Sequence, residues 1–597
     1  MEVVEREAVL AELAELWAEA GKEGGRLALV SGEAGVGKTA VVRRFSETNG
    51  SAARVLEGAC DPLATPRPLG PLSDIAAVVG GELARLLDEE SGPAAVFDAF
   101  LRVLAGSPQP TLVVLEDVHW ADEATLDLLS FVGRRLSRMH ALVVVTFRDD
   151  EVAVDHPLRL AIGDLPGAPA VRRLPLQPLS EQGVAALARA KHLDPGRLYR
   201  LTGGNPLFVT EVLATEGGEL SGTVRDAVLA RASRLSDPTR SDLDLLAAVG
   251  RPIDRALPEQ LGIADGHVDE AVSRGLLRWA QGRVEFRHEL ARVAVLDAIP
   301  PARAASIHGL LLATLRSGPG RGDPAELAWH AEEAGDGEAV LEYAPAAALE
   351  AGRLNAHREA AAQWARALRF AEELPAAARA DLLRAYSREV HWSGDVEAAI
   401  ASGTAELELR RSLGDPLAVS RALNWLASLV WSTEDSADAL PLALEAVSVL
   451  AGEPTSAELA TAYANIAGLS STSAERAPEA TQYARKALRL GRQLGLADVQ
   501  VRALRVLGQV KLWGPNDDGW PELEQAIELG LAADLGFRDR RGVRHAPGVR
   551  RDATPVRSLR HLLPGGPRVL RAARAHPLAA VRAATPQPRA DAQRALE

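Results

Sequence analysis

Hydrophobic positions follow three different patterns along the 597-residue chain. Up to about residue 175, short apolar runs alternate with longer stretches of helical spacing, which predicts an α/β fold with a parallel sheet. From about 176 to 300, short amphipathic helices lead to a candidate hairpin with strands at 275–279 and 283–286. The strands predicted in the first region are 27–30, 54–56, 111–115 and 142–147.

From about residue 303 to 537 the chain is one Ala- and Leu-rich helix after another, separated by Gly and Pro turns. Helices are predicted to close at Gly414, Gly495 and Gly536, with an intervening turn at Gly452. This spacing gives a unit of about 40 residues, typical of a helical solenoid; an irregular helical bundle is the alternative. Either arrangement predicts a docking surface. The tryptophans expected in the core of this region are Trp364, Trp392, Trp425 and Trp431.

Charge is distributed unevenly along the chain. Residues 538–597 contain 14 Arg, no Lys, three Asp and one Glu, so they carry +10 of a net charge of −14, and the preceding residues carry −24. Such an acidic body repels nucleic acid except at a local basic patch. The tail is either a basic, Pro-rich binding arm or the product of a shifted reading frame. The second reading rests on five Lys against 62 Arg, which indicates GC-rich coding DNA.

Cysteine content and hydrophobicity predict a cytoplasmic protein. Cys60 is the single cysteine, which excludes a disulfide within the chain and a Cys-based zinc site. The N-terminal residues are acidic, and the longest apolar runs, such as 141–145, are far shorter than the ~18 residues that span a bilayer. We therefore expect no membrane partner.

The clearest chemical signal lies between the first predicted strand and the helix after it. The glycines of this segment let backbone N–H groups turn toward phosphate oxygens at a helix N-terminus. Lys38 can reach the β- and γ-phosphates, and the Thr39 hydroxyl can hold Mg²⁺. The segment therefore predicts a site for ATP or ADP with Mg²⁺. It fits the phosphate-loop pattern in full and reads Gly32, Glu33, Ala34, Gly35, Val36, Gly37, Lys38 and Thr39.

Two carboxylates follow the predicted strand 111–115, at Glu116 and Asp117. One can bind Mg²⁺ and the other can orient or deprotonate an attacking water, although many strands end in acids for solubility alone. Which of the two binds Mg²⁺ stays open. Strand 142–146 runs into Arg148, which either senses the γ-phosphate or pairs with Asp149 or Asp150.

Five motifs together resemble the STAND-class ATPases, and in particular the large ATP-binding regulators of LuxR type from actinobacteria. The motifs are 32–39, 114–122, 145–150, 202–208 and 286–290, and the resemblance covers about residues 1–537. It implies four domains: a P-loop nucleotide-binding domain at 1–175, a helical lid at 176–220, a winged helix at 221–302 and tetratricopeptide-like repeats at 303–537. The basic tail at 538–597 lies outside the resemblance.

In that family the first three domains close over ADP at rest and open on exchange for ATP and inducer, with the repeats as sensor. The resemblance implies that Pro206 packs near the adenine, that Arg6 belongs to the adenine-side signature, and that His288 touches the phosphates in the closed form. The positions that match the family's phosphate, Mg²⁺, water and sensor residues are Lys38, Thr39, Glu116, Asp117 and Arg148.

The chain departs from the family pattern in three places. Glu5 replaces the glycine of the Gly-Arg-Glu signature, which puts the adenine-side pocket in question. Glu116 stands where related ATPases often have aspartate, and its longer reach is why the Mg²⁺ assignment stays open. The last 60 residues contain no recognisable helix-turn-helix, the DNA-binding module expected there, so we expect specific promoter binding to be absent or weak.

The sequence therefore predicts an ATP-binding signalling switch of a transcription regulator, with slow hydrolysis acting as a timer. Its expected partners are ATP, an unknown inducer or protein on the repeats, DNA for the full-length family, and a second copy of the chain when ATP is bound. A small-molecule phosphotransferase is one alternative, although no substrate-binding domain is visible. A nucleotide-independent scaffold with a vestigial phosphate loop is the other.

Overall fold

The computed structural model describes residues 3–22, 24–49, 53–62, 65–89, 91–107, 109–165, 170–189, 194–214, 224–251, 253–280, 282–317, 322–433, 436–513 and 518–533. The chain divides into two compact units, Met1–Ala451 and Gly452–Glu597. The predicted turn at Gly536 and the tail 538–597 lie outside the described residues.

A five-stranded parallel sheet of order β2-β3-β4-β1-β5 forms the first part of unit 1. The four strands predicted from apolar runs are confirmed. Strand β5 was missed because it is an edge strand with Arg172 and Arg173 in its middle, and charged residues are common at sheet edges. The strands are β1 Arg26–Ser31, β2 Arg54–Ala59, β3 Thr111–Glu116, β4 Ala141–Phe147 and β5 Val171–Pro175.

Helices cover both faces of this sheet, so its central strands are apolar on both sides. Successive side chains of a strand point to opposite faces. In β1, Ala28 and Val30 accordingly join one buried cluster, while Leu27 and Leu29 join another. The helices are α1 Glu7–Lys22, α2 Lys38–Asn49, α3 Gly70–Val79, α4 Gly81–Asp88, α5 Pro93–Ala105, α6 Glu123–Gly133 and α7 Pro157–Gly163, with short 3₁₀ helices at Val118–Trp120 and Leu136–Arg138.

The next part of unit 1 is helical and contains a small antiparallel sheet. The predicted hairpin is confirmed, with Leu277 paired to Phe286, and a two-residue strand extends it. The helices here are α8 Glu181–Ala188, α9 Pro195–Thr202, α10 Pro206–Ala214, α11 Val224–Ala232, α12 Asp237–Val249, α13 Ala256–Gln260, α14 Asp265–Ser273 and α15 Glu289–Leu296, and the strands are β6 Ile253–Asp254, β7 Leu277–Ala280 and β8 Arg283–Phe286.

Helices alone make up the rest of the described chain. Four of them begin at Ala376, Pro416, Ala457 and Ala497, which are 40 or 41 residues apart and confirm the predicted repeat length. Unit 1 contains α16 Pro301–Ser317, α17 Pro324–Ala334, α18 Gly337–Arg353, α19 His357–Arg369, α20 Ala376–Trp392, α21 Val396–Leu413, α22 Pro416–Trp431 and α23 Ala439–Ser448. Unit 2 contains α24 Ala457–Ser470, a 3₁₀ helix Ala474–Arg476, α25 Ala477–Gln493, α26 Ala497–Leu512 and α27 Trp520–Ala532.

Local turn chemistry ends these helices as expected. Gly414 caps α21 at φ 73°, and its N–H donates to the carbonyls of Arg410 and Arg411. This left-handed conformation is open to glycine without a Cβ clash. The expectation that the tryptophans are core residues is wrong for Trp392, which is 38% exposed because it is the last residue of α20, whereas Trp364 is buried. None of the helices in the described part of the chain is both long and apolar enough to cross a membrane.

Helices α18 and α19 also pack against the sheet region. Ala351, Ala356 and Ala360 belong to the same buried cluster as the residues of α6. At the edge of this contact the N-termini of α6 and α19 cap each other, since Glu123 N donates to Glu359 Oε1 (3.2 Å) and His357 N donates to Glu123 Oε2 (3.0 Å). Each carboxylate thus satisfies backbone donors that a helix leaves unpaired at its start. No pattern along the chain predicted this contact.

Candidate nucleotide-binding site

The phosphate loop connects β1 to α2 at the carboxyl edge of the sheet. Gly32, Gly35 and Gly37 have φ of 147°, 78° and 102°, values that a residue with a Cβ rarely adopts. Gly35 also has no room for a side chain, because an added Cβ would lie 2.6 Å from Cβ of Leu207 and 2.9 Å from Oδ1 of Asn205. The loop therefore depends on glycine both for its conformation and for its contact with α10.

Lys38 holds the two sides of this loop together. Its side chain is buried, and Nζ donates to the carbonyl oxygens of Gly32 (2.7 Å) and Glu33 (3.0 Å). Burial lowers the pKa of Lys38, while the charge of Asp117 opposes that shift. An ammonium group taken out of water beside one carboxylate is suited to receive further negative charge.

Glu116 and Thr39 meet at the end of β3. Thr39 Oγ1 donates to Glu116 Oε2 at 3.1 Å, and Asp117 N donates to Thr146 Oγ1 at 2.9 Å. Burial, together with the neighbouring charge of Asp117, raises the pKa of Glu116 to about 7. Burial also raises the pKa of Asp117, against the opposing effects of Arg148 and Lys38. A hydroxyl and two carboxylates are hard oxygen donors of the kind Mg²⁺ takes, so these residues fit that ion.

Arg148 lies beside these acids but pairs with neither of the residues expected from its spacing. Its guanidinium is over the ring of Trp120, 4.7 Å from the centroid, and it is paired with Glu151 rather than with Asp149 or Asp150. The side chain is 12% exposed. Trp120 was not singled out from the sequence as a support for Arg148, although it lies in one of the five motifs.

Arg6 is buried against the outer side of the phosphate loop. It donates to the carbonyl of Val36 (3.1 Å) and to that of Gln177 (2.8 Å). Glu5 has φ 57°, which explains why a glycine suits this position. Here the carboxylate of Glu5 is paired with both the backbone N–H (2.8 Å) and the hydroxyl of Ser180, which offsets the unfavourable backbone conformation.

The segment before α10 reaches the phosphate loop directly. Asn205 Nδ2 donates to the carbonyl of Ala34 (2.8 Å), and Leu207 N donates to that of Gly35 (3.2 Å). Pro206, between them, faces the same cavity as the loop. Asn205 was missed as a contact residue because nothing local in its sequence shows that it meets a segment about 170 positions earlier.

One cavity of about 500 Å³ collects nearly all of the predicted site residues, a size typical of small-molecule sites. Gly32 and Glu33 lie behind it, where their carbonyls accept from Lys38. The predicted residues that line the cavity are Arg6, Ala34, Gly35, Val36, Gly37, Lys38, Thr39, Glu116, Asp117, Arg148, Pro206 and His288.

The wall opposite the phosphate loop comes from the segment after β8. Arg287, His288 and Glu289 line it, and Arg43 of α2 lies 3.9 Å from Glu285 of β8 across the gap. Burial, with nearby Arg278 and other arginines, lowers the pKa of His288 to about 4. His288 is therefore neutral at pH 7 in a predominantly cationic wall.

Comparison with known proteins identifies the first part of this site. Residues 2–145 match the family model of the AAA ATPase domain, so this part of the chain is similar to AAA ATPase domains. Domains of this class bind a nucleotide, typically with Mg²⁺.

Whole-chain similarities are more distant. An uncharacterised protein of Rhizobium meliloti (strain 1021) is 23% identical in an alignment 445 residues long, which covers 60% of this chain and 41% of that protein. The chain therefore spans about two fifths of its relative's length. Among solved structures, a STAND protein with a tetratricopeptide repeat sensor from Pyrococcus horikoshii is 14% identical, with a TM-score of 0.40 over 88% of this chain and 90% of that one. The ORC1 protein of Aeropyrum pernix, solved with DNA, is 18% identical, with a TM-score of 0.27 over 50% and 93%.

Proposed function

We propose that this chain is an ATP-driven signalling switch of the STAND class and belongs to a LuxR-type transcription regulator, with the helical repeats as sensor. One observation carries the proposal. The cavity behind the phosphate loop is lined both by the AAA ATPase domain and by residues 285–290 from the antiparallel sheet and α15. A nucleotide there contacts both parts, so ATP and ADP can favour different arrangements of them through differential affinity.

Each residue has a task set by its chemistry and its neighbours. Lys38 leaves the loop carbonyls to pair with the β- and γ-phosphates. Thr39 and Glu116, already in contact with each other, hold Mg²⁺, and Asp117 orients the attacking water. Arg148 moves from Trp120 and Glu151 toward the γ-phosphate, which makes it the residue that distinguishes ATP from ADP.

The remaining contacts position the nucleotide. Arg6 and Pro206 lie on the adenine side, and His288 donates a hydrogen bond to the phosphates from the opposite wall. Because Arg148 must give up a cation–π contact and an ion pair before it reaches the phosphate, we expect hydrolysis to be slow. Slow turnover fits a timer better than it fits metabolism.

Equilibrium binding of ATP and ADP tests the proposed site. We expect Lys38→Ala to weaken ATP binding by at least about 100-fold, equal to ~2.7 kcal/mol. The matched control is Lys22→Ala, an exposed lysine at the end of α1, which should bind like wild type. Comparable affinity in wild type and Lys38→Ala would contradict the site.

The switch itself needs a structural readout. Small-angle scattering and limited proteolysis of the full chain should differ between ADP and a non-hydrolysable ATP analogue, and Arg148→Ala should remove most of that difference while retaining ADP binding. Identical profiles with the two nucleotides would favour the scaffold alternative. Metabolite-dependent turnover far above basal hydrolysis would favour the phosphotransferase.

DNA is the final target that the regulator proposal implies. The acidic residues 1–537 repel nucleic acid, so we expect this chain to bind duplex DNA weakly and to release it as salt rises. A gel shift with a random-sequence duplex pool at two salt concentrations measures this. Tight, salt-resistant, sequence-selective binding would contradict the expectation.

A further inference from the structure

His119 is a buried histidine to which the proposed function gives no task. Its side chain is 1% exposed, and within the described ranges neither ring nitrogen has a hydrogen-bond partner. Buried polar atoms normally have partners, and one without a partner costs about 1–3 kcal/mol. An apolar side chain of similar size would avoid that cost, so folding alone does not explain a histidine here.

Two carboxylates flank the imidazole. Nδ1 of His119 lies 3.9 Å from Oδ1 of Asp117, and Nε2 lies 3.5 Å from Oε2 of Glu151. Both distances exceed the usual length of an N–H···O hydrogen bond. Burial, together with the charges of Arg148 and Lys38, lowers the pKa of His119 to about 3. The ring is therefore neutral and has a single N–H to donate.

Asp117 is the carboxylate that lacks a donor. Glu151 already accepts from Arg148, and it is 39% exposed, so water can also solvate it. The carboxylate of Asp117, by contrast, accepts no hydrogen bond from the part of the chain that the structure describes. The N–H of His119 is therefore best placed on Nδ1, where it faces Asp117.

The local backbone brings these two residues together. Asp117 has φ 53°, a left-handed conformation that aspartate adopts more readily than most residues, and it precedes the 3₁₀ helix Val118–Trp120. Its N–H donates to Thr146 Oγ1 at 2.9 Å, which fixes its main chain. The ring of Trp120 packs against that of His119, with 4.3 Å between centroids. A side-chain rotation of Asp117 therefore needs to close a gap of only about 1 Å to form the hydrogen bond.

We propose that His119 is a positioning residue for ATP hydrolysis, whose Nδ1–H donates to Asp117 when the nucleotide is bound and holds that carboxylate toward the attacking water. The inference rests on the proposed function, in which Asp117 orients this water. Hydrogen bonds of this kind are often long without ligand and shorten in the complex with substrate, which fits the 3.9 Å separation. His119 does not line the cavity, so it acts through Asp117 rather than on the nucleotide.

Two amide substitutions separate the two faces of the ring. The side-chain nitrogen of Asn is as many bonds from Cα as Nδ1 of His, and that of Gln is as many as Nε2. In single-turnover hydrolysis of Mg-ATP, we expect His119→Leu to lower the rate at least ~10-fold, because small misplacements of a reacting group are costly. His119→Asn should restore the rate to within ~3-fold of wild type, whereas His119→Gln should stay low. The control is His140→Leu, at an exposed histidine just before β4, and it should not change the rate.

Two measurements besides hydrolysis distinguish positioning from binding and folding. All three His119 variants should bind ATP within ~3-fold of wild type, since the residue does not line the cavity. Without nucleotide, the apparent Tm of His119→Leu should be no more than ~2 °C below that of wild type, because the substitution removes two polar atoms that lack partners.

Several results would overturn the inference. They are an unchanged rate in His119→Leu, failure of Asn to restore the rate, a loss of ATP affinity as large as the loss of rate, or a larger fall in Tm. A wild type that binds ATP without hydrolysing it would also overturn the inference, and would leave nucleotide binding intact. A wild type that binds no ATP would overturn the proposed function on which the inference rests.

Discussion

The short segment 116–123 joins two groups of carboxylates, half-buried at its start and buried at its end, that are stabilised in different ways. At its start, Glu116 and Asp117 face Lys38 across the nucleotide cavity. At its end, Asp122 is 1% exposed and accepts from backbone N–H groups, with Glu359 of α19 close enough to raise its own pKa through the charge of Asp122.

This difference shows how each group responds to its surroundings. Glu116 and Asp117 line a cavity, so a bound cation can balance their charge. Mg²⁺ with its nucleotide therefore controls the net charge there. The second group is closed, and backbone N–H groups, the Thr125 hydroxyl and a proton stabilise it. Burial and the nearby Asp122 raise the pKa of Glu359 to about 8, so at neutral pH it carries that proton. A ligand thus governs one end of the segment, and pH governs the other.

The largest expected effect is on Mg²⁺-dependent ATP affinity, and it should follow from a mutation in the first group but not from one near the second. Glu116→Ala removes a predicted Mg²⁺ ligand, so we expect the gain in ATP affinity on adding Mg²⁺ to fall by about 100-fold, or ~2.7 kcal/mol. Glu123→Ala lies seven positions further along and should leave that gain within about twofold of wild type. Isothermal titration with and without Mg²⁺ measures both. Loss of the gain in Glu123→Ala alone would invert the comparison.

A mutation at the contact between α6 and α19 should instead lower the free energy of unfolding. Glu123→Ala removes the acceptor for the first N–H groups of α19, a loss worth about 1–2 kcal/mol, or roughly 2–6 °C in the apparent Tm. Glu12→Ala, an exposed acid on α1, is the control and should change little. An unchanged Tm in Glu123→Ala would show that the alanine packing alone holds α19 in place.

The pH dependence of the apparent Tm then tests whether Glu359 is protonated in the folded state. The pKa of Glu359 rises from 4.5 to about 8 on folding, so the folded state holds a proton that the unfolded state has released between these values. Its contribution to stability is therefore complete below pH 4.5 and lost as the pH rises through about 8. Between pH 6 and 9, wild type should lose roughly 3–6 °C more in apparent Tm than Glu359→Gln, which stays neutral. Equal losses would contradict the assignment.

The features predicted correctly from the sequence are those that depend on neighbouring residues in the chain. Apolar runs gave β1 to β4, the glycines gave the phosphate loop, and turn residues gave the 40-residue repeat. The edge strand β5 escaped because Arg172 and Arg173 break its apolar pattern.

Contacts between distant segments account for the remaining misses. Three such contacts join residues whose pairing cannot be predicted from periodicity. They are Asn205 with the phosphate loop, Trp120 with Arg148, and Glu359 of α19 with the N-terminus of α6. The prediction that Trp392 is a core residue was wrong for a related reason. It rested on residue type, whereas the position of Trp392 at the end of α20 leaves its side chain partly exposed. The residues that line the candidate site were thus predicted from the sequence, but the residues that support their side chains were not.

The smallest expected effect concerns His288, the residue through which the wall after β8 meets the phosphates in our proposal. Its pKa is lowered to about 4 by burial and by nearby arginines, so it is neutral at pH 7 without nucleotide. A bound polyphosphate brings negative charge beside it and must raise that pKa, so binding takes up a proton and grows tighter as pH falls. ATP titrates in the same range, so the quantity to measure is the ratio of wild-type to His288→Asn affinity. It should rise by up to ~10-fold between pH 7.5 and 5.5 when the polyphosphate returns the pKa of His288 to its ordinary value of 6.5. A ratio independent of pH would place His288 away from the phosphates.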